Sequence, residues 1–458
     1  MQEYTERLGY APLGRLLIKL SLPSIAGTIT MSLYNIVDTF WVAKLGHEAI
    51  AALTIVFPYQ ILFYAVGGGT GIGIGALVSR RFGENKPDAA NHVAGQIFFL
   101  SVLWGIVFMI VAVFFSENLL IAFGATPDIM EYSTQYLVII SYGATPMIFI
   151  LVISNLIRGS GDAVKPMVIM ITASIINIIL DPFMILGIGP FPEMGIRGAA
   201  LATIIAQSAG AVIGLYYFVA RRTTFWIRAS HLLPSLPILR DIYRVGAPTS
   251  VMELTESLAF VLFNKVVSTY GSIAIAAVGL AMRISDLAFM PIMGVSNGLL
   301  PIVGFNFGAR NFNRLWRAVK LASVGIFMFL AVATVFIEIY TPGLISIFNK
   351  EAEVLEVAVP SMRILLSTMA LIGPTIMFVT AFQGLSRGGT ALILSLVRQF
   401  IVFVPMLFLF SYLFGLYGVW YSLPASDTLG FVVSFGFIYA EYQRQKKLGN
   451  WKDMAAEG

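Results

Sequence analysis

The chain has 458 residues, of which 58% are hydrophobic and only 12% charged, and its net charge is +5. Soluble domains carry roughly 25% charged residues, so an ordinary soluble enzyme is excluded: there are too few polar side chains to cover a globule of this size. Disorder is excluded as well, since it needs low hydrophobicity and high net charge; a lipid bilayer is the solvent that fits. Cysteine is absent, which rules out disulfides, thiolate metal sites and cysteine nucleophiles. His47, His92 and His231 are too scattered in sequence to suggest a zinc site. No cleavable signal is expected, because the first long apolar stretch contains Asn35 and Asp38 and lacks a small-residue cleavage site.

A spanning helix needs about 20 mostly apolar residues. Twelve such segments follow one another, at 16–40, 50–79, 92–115, 131–157, 164–188, 195–220, 241–267, 274–305, 317–341, 354–382, 390–414 and 418–440. None alternates as barrel strands do, so each is expected to be a helix that satisfies its own backbone. The first carries Pro23 and sets Met31, Tyr34, Asn35 and Asp38 on one face by 3/4/7 spacing. In the second, Gly67, Gly71 and Gly75 form a small-residue stripe suited to close helix packing. Gly71-Ile-Gly73-Ile-Gly75-Ala76 also matches a dinucleotide fingerprint, but inside an apolar span rather than between a strand and a helix. Asn155 in the fourth span is a further polar candidate for substrate contact. The fifth holds Asn177 and Asp181 one turn apart, with Pro182 next, and the sixth holds Thr203 and Gln207. Later spans contain Glu253 and Glu256 on one face, Arg283 and Asp286 one turn apart and expected to neutralise each other, and Arg363, Arg398 and Asp427.

Lys and Arg concentrate on one side of this layout: Arg7, Arg15 and Lys19 at the N-terminus, Arg80, Arg81 and Lys86 after the second span, Arg158 and Lys165 after the fourth, and five arginines in 221–244. Arg310, Arg314, Arg317 and Lys320, then Arg387, then Arg444, Lys446, Lys447 and Lys452 continue the series, whereas the opposite loops hold only Lys44, Arg197 and Lys350. The positive-inside rule therefore predicts both termini in the cytoplasm and an even number of spans. Topology accounts for the basic stretches, and no nucleic-acid partner is implied.

Sliding the sequence on itself by 225 residues lays Pro23 on Pro248, Gly46 on Gly271, Gly69 and Gly73 on Gly294 and Gly298, and Phe82-Gly83 on Phe307-Gly308. With a small gap, Gly195-Ile-Arg-Gly198 meets Gly415-Leu-Tyr-Gly418. A duplicated unit of six spans enters the membrane in the same direction twice, giving parallel repeats. The predicted architecture is an all-α membrane protein of twelve transmembrane helices in two pseudo-symmetric six-helix bundles. The expected divisions are an N-terminal lobe at 1–220, a basic linker at 221–244, a C-terminal lobe at 245–441 and a tail at 442–458. Two such lobes suit alternating access, and the sequence lacks the repeated filter loop of a channel.

Carboxylates inside a membrane are costly and mark function by default. Asp38 and Asp181, with Asn177 and Thr203, offer hard oxygen donors suited to Na⁺ and equally to a proton. The structural alternative is that the aspartates cap broken helices or satisfy interior polar groups. The acids do not obey the repeat, since Asp38 falls opposite Phe263 and Glu256 opposite Met31, so chemistry has diverged between the lobes.

Leu33-Tyr34-Asn35-Ile36-Val37-Asp38, Arg158-Gly-Ser-Gly-Asp162, Asn177-Ile-Ile-Leu-Asp181-Pro182 and Gly198-Ala-Ala-Leu-Ala-Thr203 together resemble the multidrug and toxic compound extrusion (MATE) family, over essentially the whole chain. The aspartates of spans one and five are similar to those of its DinF-like branch. The resemblance implies a non-enzymatic antiporter in the cell membrane that exports organic, cationic or amphiphilic drugs in exchange for H⁺ or Na⁺. It implies no cofactor, function as a monomer in the lipid bilayer, and an ion site of Asp38, Asn177, Asp181 and Thr203. Met31, Tyr34, Asn35, Tyr136, Asn155 and Glu256 are the expected substrate contacts; Tyr136 matches a polar position near the ion site, and Glu256 resembles the helix-seven acid of the NorM-like branch. Span ten lacks that branch's carboxylate between Glu356 and Gly384. A flippase for lipid-linked oligosaccharides is the rival reading, and a cavity rich in Arg or Lys would favour it.

Overall fold

A computed structural model describes residues 7–189, 191–348 and 351–447. Lys350 and Lys452 of the charge pattern lie outside the described residues. The helices are α1 Leu13–Val42, α2 His47–Gly83, α3 Pro87–Ala122, α4 Pro127–Tyr142, α5 Ala144–Gly159, α6 Val164–Leu186 and α7 Ile196–Val219. The second half comprises α8 Leu236–Ser268, α9 Ser272–Gly308, α10 Phe312–Phe348, α11 Ala352–Leu366, α12 Met369–Gly384, α13 Gly388–Leu396 and α14 Phe403–Lys447. Two expected continuous spans are broken. The fourth is α4 and α5, bent by 52° at Gly143, and the tenth is α11 and α12, interrupted at Ser367 and Thr368. The eleventh and twelfth spans fold back on each other at Gly415, which brings Arg398 against Asp427. Twelve spans result, arranged in two bundles.

The duplication is visible in the backbone. Gly46 and Gly271 have φ of 116° and 94°, and Asn85 and Arg310 have φ of 57° and 59° after the Phe-Gly pairs. Gly195 and Gly415 share φ/ψ of 57°/−134° and 61°/−141°, a region that only glycine occupies without strain. The lobes meet by the same symmetry. A Cβ on Gly69 would strike Ser250 and Gly246, and one on Gly294 would strike Ile25 and Ser21, the positions 225 residues earlier. Gly83 abuts the Phe305 carbonyl and the Ala309 amide, while Gly308 abuts the Arg80 carbonyl and the Glu84 amide. A pseudo-twofold axis therefore passes between the ends of α2 and α9, beside Ser79 and Gly304. Gly67, Gly71 and Gly75 instead pack within the N lobe, against Leu151 and Asn155 of α5.

These close approaches lie at the basic ends of the helices, where Arg81 bridges to Asp241 of α8 at 3.2 Å. Arg80 and Arg81 hold Glu84 at 2.8 and 3.0 Å. Burial acts to raise the Glu84 carboxyl, but hydrogen bonds from the two arginines outweigh it and leave it below the usual carboxylate range. Two apolar cores fill the lobes, and each includes the entry of the other lobe's first helix. Leu8, Leu16, Leu17 and Leu20 pack into the C-terminal core, and Ile242, with Ile238, Leu239 and Tyr243 around it, into the N-terminal one. Asn306 and Arg314 fix the crossing segment by donating to the Leu8 carbonyl, each at 3.0 Å. Toward the other face Asn35, Glu253, Glu256, Arg283 and Asp286 remain exposed. The closest contacts between the lobes thus gather toward the basic end.

Candidate functional site

Between α1, α2, α4, α5 and α7 of the N lobe lies a cavity of about 380 Å³. Met31, Tyr34, Asn35 and Asp38 enter it from α1, as their spacing predicts, together with Tyr136 from α4 and Thr203 from α7. Beside it on α6, Asp181 is fully buried and its Oδ1 accepts from Asn177 Nδ2 at 3.0 Å. The same amide nitrogen approaches Thr203 Oγ1 at 3.4 Å. The charge of Asp38 is felt at Asp181.

Three of the buried oxygens here, Asp38 Oδ1, Asn177 Oδ1 and Asp181 Oδ2, have no hydrogen-bond partner. A buried polar atom left unpaired costs about 1–3 kcal/mol. A proton on one carboxylate would satisfy part of this set, and an oxygen-coordinated Na⁺ would satisfy it too. The donors therefore fit either ion.

Gln60 and Tyr64, which the spacing along α1 does not mark, complete the wall. Gln60 Nε2 donates to Tyr136 OH at 3.3 Å, and the Tyr34 and Tyr64 hydroxyls lie 3.4 Å apart. Gln60, as a lone amide in an apolar span, was the available signal. Beyond the tyrosine pair a chamber of about 60 Å³ reaches Ser154, Arg158, Ser174 and Gln207. Arg158 belonged by spacing to the basic loops, yet it closes α5 with its Nε buried and unpartnered. A charge at a helix end cannot be assigned to loop or interior from spacing alone. Asn155 is absent from the walls of both N-lobe spaces: its amide donates to the Leu151 carbonyl at 2.9 Å and packs against Gly71.

Glu256 is not brought to these residues either. It lines a separate C-lobe cavity of about 170 Å³ with Phe260, Phe289, Gln399 and the Arg398–Asp427 pair. Asp427 is buried and Arg398, partly so, pairs with it at 3.0 Å, and Thr368 adds a bond to Asp427 at 3.3 Å. Arg283 and Asp286 form no ion pair among the described residues; both are exposed on α9. Sequence separation also hid one proximity, since the His92 and His231 rings lie 5.0 Å apart with Asp88 at 3.5 Å from His231. No group of three metal-ligating side chains occurs among the described residues.

Two pseudo-symmetric six-helix lobes, sealed at one membrane face and lined with polar groups inside, define a multi-pass membrane transporter. The MatE family pattern matches residues 23–183 and 248–409, and the chain belongs to that family of multidrug-efflux transporters. It is 27% identical over 420 residues to the FAD transporter of Shewanella oneidensis, covering 92% of this chain and 93% of that one. It is 25% identical over 421 residues to the multidrug export protein MepA of Staphylococcus haemolyticus, covering 92% of each. Among solved structures it resembles an outward-facing conformation of a multidrug resistance MATE family transporter of the MOP superfamily. That likeness has a TM-score of 0.90 and 29% identity over 96% of this chain and 98% of the other.

Proposed function

We propose that the protein is an antiporter of the DinF-like branch, exporting organic, cationic or amphiphilic compounds in exchange for H⁺ or Na⁺. The ion occupies Asp38, Asn177, Asp181 and Thr203, and Met31, Tyr34, Asn35 and Tyr136 line the substrate space. The observation that carries this reading is the set of three unpartnered buried oxygens on Asp38, Asn177 and Asp181. Exchange requires that ion and substrate bind the two states of the transporter unequally, and a change of charge on the carboxylate pair supplies that difference. Asp38 in the wall of the N-lobe cavity and Asp181 buried beside it, rather than a cluster of cations, favour drug export over a lipid-linked oligosaccharide. Both termini are assigned to the cytoplasm from the charge pattern, with lobes at 1–220 and 245–441, and one chain houses both lobes and so functions as a monomer.

The test is accumulation of a cationic dye in reconstituted vesicles, with pH and Na⁺ gradients imposed separately. One pH unit sustains about a tenfold concentration ratio per exchanged proton. The Asp38→Asn, Asp181→Asn double variant should insert normally and give a ratio near one with either gradient. Full accumulation by that variant sinks the site assignment.

A further inference from the structure

The cavity of about 530 Å³ at the basic membrane face lies outside the transport path. It is framed by the first turns of α10, with Asn313, Trp316, Arg317, Lys320 and Ser323, and the last turns of α14, with Tyr439 and Tyr442. Its deeper wall is apolar, formed by Val324, Phe378 and Phe435. We propose that this groove is a binding site for an acidic phospholipid of the basic-side leaflet, its phosphate held by Arg317 and Lys320 and its acyl chain laid along Val324, Phe378 and Phe435.

Three observations carry this. Arg317 and Lys320 are exposed, stand one helical turn apart on the groove, and make no ion pair among the described residues. The nearby acid of α14, Glu441, is paired with Arg387 and bonded by Gln445, so it does not neutralise them. Ser323 is only 7% exposed, lines the groove, and its hydroxyl has no partner, which leaves a donor for a phosphate or ester oxygen. The depth is right as well: α14 ends in Arg444, Lys446 and Lys447, and Trp316, Tyr439 and Tyr442 sit where amphipathic rings favour the headgroup boundary. Basic pockets between helices at such a boundary recognise anionic headgroups. Trp316 is held in place by donating to Gln445 at 3.0 Å, so the wall is built rather than fluid.

The test uses the full chain in nanodiscs of equal phosphatidylglycerol and phosphatidylcholine, with retained lipid counted by native mass spectrometry. Phosphatidylglycerol should be retained preferentially. Each cation contributes about a factor of five at such a surface, so the Arg317→Ala, Lys320→Ala variant should bind it about 30-fold more weakly, while Arg240→Ala on the same face leaves it unchanged. Ser323→Val should weaken binding about fivefold through the lost hydroxyl, and Arg317→Lys with Lys320→Arg should retain it, showing that charge rather than folding is read out. Equal retention by the double variant and Arg240→Ala overturns the site. Equal retention of phosphatidylcholine overturns the headgroup assignment, and binding of inorganic phosphate as tightly as phosphatidylglycerol overturns the lipid as its source.

Discussion

The packing of Gly83 against Phe305 and Ala309, and of Gly308 against Arg80 and Glu84, sets how firmly the basic face is sealed, and one methyl group at either glycine should loosen it. Gly83→Ala would place a Cβ 1.9 Å from the Phe305 carbonyl oxygen, and Gly308→Ala one 2.2 Å from that of Arg80. Cβ atoms essentially never approach within 3.0 Å of backbone, so the helix ends must part by about 1.1 Å and 0.8 Å respectively. Overpacking on this scale costs about 1–3 kcal/mol. The cost falls only on the arrangement closed at this face, so the population should move toward one open there by about 5- to 150-fold.

The natural absence of cysteine makes the measurement direct. Ser79 is fully buried beside the axis, and a Ser79→Cys thiol should react slowly with a membrane-impermeant maleimide supplied from the basic side. Adding Gly83→Ala should raise that rate by the population factor. Gly279→Ala, where a Cβ meets nothing within 4 Å, should leave it unchanged. If Gly83→Ala inserts as a single species and labels at the parent rate, the seam is not a contact that opens, and the reasoning fails.

Arg398→Ala should lower stability by about 3–5 kcal/mol in a denaturation assay, because it strands Asp427 as a buried charge; replacing both residues with apolar ones should cost much less, and equal losses would contradict the pairing. Gly415→Ala isolates backbone strain, since a Cβ there meets nothing within 4 Å while φ stays at +61°; it should cost about 1–3 kcal/mol, and a neutral result would refute the turn geometry. Glu84 has a lowered carboxyl pKa against an ordinary value of 4.5. Its contribution is therefore fully present above that value and lost only as pH falls through the lower folded one. Ser79→Cys labelling should show no Glu84-dependent change between pH 5 and 8, and a step in that range abolished by Glu84→Gln would contradict the assignment.

The spans and the duplication were legible because both rest on repeating chemistry: long apolar runs, and glycines that recur wherever two backbones touch. The offset that pairs Gly83 with Gly308 in sequence reappears as equivalent contacts, Gly83 against Phe305 and Ala309 and Gly308 against Arg80 and Glu84. The breaks at Gly143 and at Ser367-Thr368 were not legible, since isolated glycine and hydroxyl residues also occur within unbroken spans. The α1 face of the cavity followed from helical periodicity alone, as Met31, Tyr34, Asn35 and Asp38 show. What periodicity cannot supply is the partner across the cavity. Gln60 and Tyr64 meet Tyr136 and Tyr34 only through tertiary packing, and Glu256 and Asn155 are on the expected helices but face other surroundings.

The division of the cores between lobes gives the proposed coupling a physical route. Along α1, Leu16, Leu17 and Leu20 belong to the C-terminal core, whereas Tyr34 and Asp38 line the N-lobe cavity. Pro23 stands between the two parts, where its missing backbone donor weakens the helix. Helix α8 repeats the plan, with Ile242 in the N-terminal core, Glu256 in the C-lobe cavity and Pro248 between them. The two crossings differ in charge. Arg398 already neutralises Asp427 beside Glu256, while no cation is among the hydrogen-bond partners of Asp38 and Asp181. Under the proposed assignment, a change of ionisation therefore acts mainly through α1. One helix then joins the ion site to the seam where Ser21 and Ile25 meet Gly294 and Gly298, so neutralising the acids and opening the basic face are coupled through a single proline-hinged element rather than through the lobe interface as a whole.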